Sequence, residues 1–195
     1  NVLDYGAKPD AKDMLGSMTS GSATYTSTTS VFASGDVGKY IEVFGAGSSS
    51  KRLVAKITAY TNATTVTLSK NASTTVSSAR SSFGTDNVPF FQTAIDSAFW
   101  QGHGGKVFVP NGYYIFAKEL NTSYQGVNPN AQVCIPVVGT DGTTFPTRTN
   151  ILIEGQSIPN YIPASLYSDN RPQRTGVLIK SIINGTGVMP AVFGS

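Results

Sequence analysis

"GGKVFVPNGYYIF", residues 104–116, decides how the second half of this chain is read. Gly104 and Gly105 release the backbone into a short apolar strand, Pro110 and Gly112 turn it, and Tyr113–Phe116 begin a second strand at once. Further apolar runs follow, "VCIPVV", "NILIEG" and "GVLIKSII", each too short for an ordinary helix and bounded by Gly, Pro, Asn or Asp. No helical pattern separates them, which disfavours alternating strands and helices and leaves a sandwich or a solenoid of stacked strands.

Upstream, "GTDNVPFFQTAIDSAFWQ" (84–101) predicts the one helix, with an apolar stripe of Val88, Phe91, Ile95, Ala98 and Phe99 at three- and four-residue spacing. Thr85, Asp86 and Asn87 offer cap oxygens, Pro89 suits a first turn, and "GHGG" ends the element. Residues 14–83 have a different texture, rich in Ser, Thr and Ala and without helical periodicity. There "VGKYIEVFG" (37–45), "KRLVAKITAY" (51–60) and "ATTVTLS" (63–69) read as strands. Leu53, Ala55, Ile57 and Ala59 alternate with Val54, Lys56, Thr58 and Tyr60. The segment reads as a small antiparallel insert. Residues 1–13, "NVLDYGAKPDAKD", read as a short strand running into a turn at Pro9.

Composition narrows the function classes. The chain has 195 residues, 39% hydrophobic, with a formal net charge of +3 from 14 basic and 11 acidic side chains. Only 13% of residues are charged, about half the usual share, so hydroxyl and amide groups carry the polar surface. The basic residues are scattered, which excludes a nucleic-acid footprint, although an acidic polysaccharide would be mildly attracted. Cys134 is the single cysteine, so no intrachain disulfide forms and cysteine-ligated zinc loses support. No apolar stretch approaches the roughly 18 residues of a membrane span. A start at Asn1 rather than Met reads as a processed chain or as part of a longer one.

Four segments taken in order, "NVLDYGAKPDAKD", "TDNVPFFQTAIDSA", "GGKVFVPNGYYIF" and "NILIEGQS", resemble the N-terminal signature of the pectate-lyase-like superfamily of right-handed parallel β-helices, especially bacteriophage tailspikes and tail-associated depolymerases. The segment "FASGDVGKYIEVFGAG" with "TTVTLSKNAS" is similar to a β-module found ahead of the capping helix in phage tail proteins. The resemblance implies a mainly β fold: a first strand and turn over 1–13, an inserted antiparallel module over 14–83, a capping helix over 84–101, and the first coils of a parallel β-helix over 102–195. It further implies a homotrimeric virion-tail protein, in contact with other tail components, that binds and depolymerises bacterial surface polysaccharide. A non-enzymatic virion adaptor and a secreted pectinase-like enzyme are the alternatives. The resemblance places the catalytic carboxylates beyond residue 195.

Within the chain no acid–base pair stands out. Asp4, Asp10, Asp13, Asp86 and Asp141 occupy turn or cap contexts, where backbone hydrogen bonding accounts for them, and Asp96 reads as a solvated helix residue. Glu154, in "ILIEGQ", is the weak catalytic candidate, a lone strand carboxylate without an assignable partner for glycoside hydrolysis. Asp169 with Arg171 and Arg174 reads more simply as a solvated loop, and His103, the only histidine, as structural. Calcium enters only by analogy with polysaccharide lyases, and no cofactor or metal site is indicated. Tyr113, Tyr114, Phe116, Tyr124, Tyr161 and Tyr167 are aromatic groups able to stack on sugar rings, with core positions the simpler reading for most.

Overall fold

A computed structural model describes residues 1–100, 105–117, 131–134, 151–156, 177–181 and 191–194. They fall into two compact units, one built from residues 10–86 and the other from residues 1–9 with the described residues from 87 onward.

The first unit is a closed barrel of six strands: β1 (Lys12–Met18), β2 (Thr24–Ser27), β3 (Tyr40–Val43), β4 (Leu53–Asn62), β5 (Thr65–Leu68) and β6 (Val76–Gly84). They run in the order β1-β2-β5-β4-β3-β6, and every neighbouring pair is antiparallel. Closure removes the exposed edges that an open sheet of this size would present. The period of two sends Met14, Met18, Ile41, Val43, Leu53, Ala55, Ile57, Val66, Leu68 and Phe83 inward. The loop between β2 and β3 contributes Phe32, whose ring meets Tyr25 edge-on at 6.0 Å and Phe83 at 4.9 Å. Gly16 makes room for this cluster: a Cβ there would collide with the Tyr25 ring and lie 2.7 Å from the Thr26 carbonyl.

The second unit begins with a 3-10 turn at Val2–Tyr5 rather than the expected strand. Asn1 caps it by accepting from the Leu3 amide, and Gly6, at φ 97°, ends it in the left-handed region. Helix α1 (Val88–Trp100) then buries Phe91 and Ile95 completely. Phe91 stands edge-on to Tyr114 and Phe116 at 5.5 and 4.8 Å, and Val2, Ala7, Val107 and Val109 complete this second core. Asn87, fully buried ahead of α1, fastens the helix start. Its Oδ1 accepts from the Lys8 amide at 2.7 Å, its Nδ2 donates to the Lys8 carbonyl at 3.0 Å, and its amide donates to the Ile115 carbonyl at 2.8 Å.

The remaining strands are β7 (Gly105–Val109), β8 (Gly112–Phe116), β9 (Ala131–Cys134), β10 (Ile151–Gly155), β11 (Val177–Ser181) and β12 (Ala191–Gly194). They form three separate parallel pairs, β7 with β10, β8 with β11, and β9 with β12. The corner of "VPNGY" joins β7 to β8. Gln156 holds it, its amide donating to the Val109 carbonyl and its side-chain carbonyl accepting from the Asn111 amide, each at 2.9 Å. Gly112 is required there, because a Cβ would collide with the Pro9 ring at a φ of 156°.

The expectation of a right-handed parallel β-helix as the principal architecture is therefore corrected. The dominant sheet is the closed antiparallel barrel, and among the described residues parallel pairing is confined to three two-stranded ladders. The descriptions parallel β-helix, tailspike and pectate lyase, which depended on that architecture, lose their structural support with it. The physical reason lies in residues 12–27 and 76–84, which supply half of the barrel's strands with few large apolar side chains. Gly16, Ser27, Ser81 and Ser82 occupy buried positions, so the hydrophobic alternation that marks a strand is faint.

Candidate functional site

Outward-facing side chains on β6, β3 and β4 share rows because of the ladder register. Tyr40 lies opposite Lys56 and Gly84, and Glu42 opposite Val54 and Ser82. One step further, Val43 pairs with Ser81 and Leu53, and the Phe44 amide donates to the Arg80 carbonyl at 3.0 Å. Arg80, Phe44 and Arg52 thus form the next row. Lys56 Nζ stands 5.1 Å from the Tyr40 ring centroid and the Arg52 guanidinium 4.9 Å from that of Phe44, both within cation–π range. Phe44 remains 37% exposed, and Arg80 and Lys56 are exposed. Arg52 also reaches back to Glu42, Nη1 to Oε2 at 3.4 Å, and Glu42 and Val54 are buried between the two aromatic rows.

A second constellation lies near the ends of the same strands. Asp10 accepts from the Thr85 amide at 2.9 Å, the Thr85 hydroxyl at 2.8 Å and Lys39 Nζ at 2.8 Å. Lys39 Nζ also meets Asp36 Oδ1 at 2.8 Å, and Asp36 Oδ2 accepts from the Ala33 amide. Burial alone would raise the Asp10 pKa, but the hydrogen bonds from Lys39 and Thr85 and the nearby Lys39 charge outweigh it and hold the carboxyl below its ordinary range. Burial likewise opposes the Lys39 charge, and the two carboxylates overcome it, holding the ammonium above its ordinary value. Each group is thus locked in its charged form. An acid that stays ionised and a base that stays protonated cannot exchange protons near neutrality, so this cluster acts as a clasp across the barrel's entry and exit.

Glu154 projects from the outer face of β10 and pairs with Lys106 of β7, both about half exposed. It is a surface ion pair on a parallel ladder. Asp10 lies in the clasp, Asp13 accepts from the Ser82 hydroxyl, Asp4 meets the chain's amino terminus at 3.8 Å, and Asp96 accepts from Gln92. Asp86 stays in a bridge ahead of α1. Tyr114 and Phe116 are core residues, and Tyr114 donates to the Pro110 carbonyl at 3.0 Å. His103, Tyr124, Asp141, Tyr161, Tyr167, Asp169, Arg171 and Arg174 lie outside the described residues, as does the side chain of Cys134. Among the described residues no group of three or more His, Cys, Asp or Glu is placed to hold a metal ion, and no helix is long and apolar enough to cross a membrane.

Sequence reasoning missed the Arg80–Phe44–Arg52 row. The alternation Tyr40, Ile41, Glu42, Val43, Phe44 carried half of the signal, since Ile41 and Val43 point inward and the aromatics must point out. The cations come from β4 and β6, and only the barrel register brings them alongside.

No family model and no curated protein matches the chain. The resemblance described above rests on its own segments.

Proposed function

We propose that this chain is an attachment module of a virion tail that binds bacterial surface polysaccharide through the outer face of its barrel. The observation that carries the reading is the pair of outward rows on β3 and β4, where half-buried Tyr40 lies under Lys56 and exposed Phe44 under Arg52, so that each ring stands beside a charged hydrogen-bond donor. A saccharide offers apolar C–H faces and hydroxyl edges, and rings combined with charged donors match both. Small β-barrels offer such strand faces to oligosaccharides. The virion-tail assignment is supported by the sequence resemblance, and the hydroxyl-rich, weakly charged composition agrees with an extracellular surface.

Purified bacterial surface polysaccharides immobilised on a sensor test the reading. The intact chain is expected to be retained by at least one of them, and a Tyr40→Ala/Phe44→Ala double variant with an unchanged circular dichroism spectrum is expected to lose at least tenfold in affinity. Equal retention of both proteins would reject the barrel face as the binding surface.

A further inference from the structure

We infer that the Arg80–Phe44–Arg52 row is a subsite for the carboxylate of an acidic polysaccharide, a refinement that rests on the polysaccharide-binding reading above. Three strands contribute one side chain each. Arg80 comes from β6, Phe44 follows β3, and Arg52 precedes β4, and the ladder sets adjacent strands about 4.8 Å apart. The Arg52 guanidinium thus lies over the exposed ring, and Arg80 occupies the same row on the neighbouring strand.

The two arginines are not equivalent. Arg52 lies over the ring and shares its charge with buried Glu42, so its orientation is fixed from within the barrel wall. Arg80 is exposed and, among the described residues, has no carboxylate partner. Its planar fork is therefore available to an incoming anion, and a guanidinium fork matches a carboxylate's two oxygens. Exposed Lys51, beside Arg52, adds a third positive charge against the two negative charges of Glu42 and Asp13, the latter bonded to Ser82 in the neighbouring row. A local excess of positive charge around an exposed ring selects a sugar that is both flat-faced and anionic, which describes a uronate-bearing chain. A neutral glycan would leave Arg80 unused.

Calorimetric titration of the intact chain tests this, with polygalacturonate as the acidic probe and dextran as the neutral one, at low and moderate salt. The wild-type chain should bind polygalacturonate more tightly than dextran, with the preference shrinking as salt rises. Arg80→Gln should weaken polygalacturonate binding about tenfold and flatten its salt dependence while leaving dextran unchanged. Arg80→Lys should recover part of the loss, since it restores charge without the fork. Polygalacturonate binding that is equal in wild type and Arg80→Gln, alongside retention on other polysaccharides, would overturn the subsite and leave the broader reading standing. Failure of the wild-type chain to bind polygalacturonate while binding dextran would also overturn the subsite alone. Binding to no polysaccharide at all would overturn both.

Discussion

Tyr25 carries a hydroxyl into an apolar barrel interior, and burial pushes its pKa up to about 12. Among the described residues that hydroxyl makes no hydrogen bond of ordinary length, although Ser81 is near enough to offset part of the shift. Because the folded value lies above the ordinary 10, the folded state holds the proton more tightly, and its stability is full below about pH 10 and declines toward pH 12. Tyr25→Phe should remove this alkaline decline and leave stability at pH 7 equal or higher by up to ~1 kcal/mol, as read by thermal unfolding at both pH values. A loss of more than that would show that the hydroxyl has a partner in the fold. The clasp titrates at the opposite end. Asp10 is depressed, so its contribution is present above the ordinary carboxylate value of 3.8 and is lost as pH falls through the lower folded value. Asp10→Asn should lower the melting temperature at pH 7 and blunt the further loss on acidification below pH 4. A variant whose acid limb matches that of the wild type would place the sensitivity elsewhere.

Helix α1 was legible from its sequence because three independent signals agree: the stripe of Val88, Phe91 and Ile95, the cap residues, and Pro89 in the first turn. Among the described residues its inward face packs on apolar and aromatic side chains, which offer nothing to a charge. Phe91→Asp or Ile95→Asp should cost more than ~4 kcal/mol, seen as loss of cooperative unfolding in that unit. Retention of the wild-type melting temperature would reject the packing of α1 on Tyr114 and Phe116. Asn87 was expected as a cap, but its larger role depends on Lys8 and Ile115, distant in sequence and brought together only by folding. Asn87→Ala removes both side-chain bonds to the Lys8 backbone while the residue-87 amide keeps the Ile115 carbonyl, and should cost about 1–3 kcal/mol in a denaturant titration. A change under about 0.5 kcal/mol would contradict that account. The strands β3 and β5 lie within segments read as strands and β4 overruns its segment by two residues to Asn62, whereas β1, β2 and β6 were hidden, since Gly16 and the serines of β6 carry no hydrophobic signature. Their burial is decided by Tyr25 and Phe32 on neighbouring segments, information that local periodicity does not hold.

The barrel's entry and exit are adjacent: Lys12 pairs with Phe83, and Asp10 accepts from Thr85. A unit whose ends meet, with its own apolar core, satisfies the conditions for independent folding. Residues 10–86 expressed alone should therefore melt cooperatively and give dispersed amide resonances. A collapsed, non-cooperative fragment would show that the barrel needs the rest of the chain. What the sequence conveyed about function was similarly divided. The hydroxyl-rich, weakly charged composition was readable, whereas the outward placing of Tyr40 and Phe44 and the meeting of Arg80, Phe44 and Arg52 required the register of three strands.

The most direct measurement is amide chemical-shift mapping of the isotopically labelled intact chain during titration with a retained polysaccharide. The account predicts that the largest perturbations fall on residues 40–44, 51–56 and 80, on the outer face of the barrel. Perturbations centred instead on the Lys106–Glu154 ladder, with the barrel resonances unmoved, would contradict it.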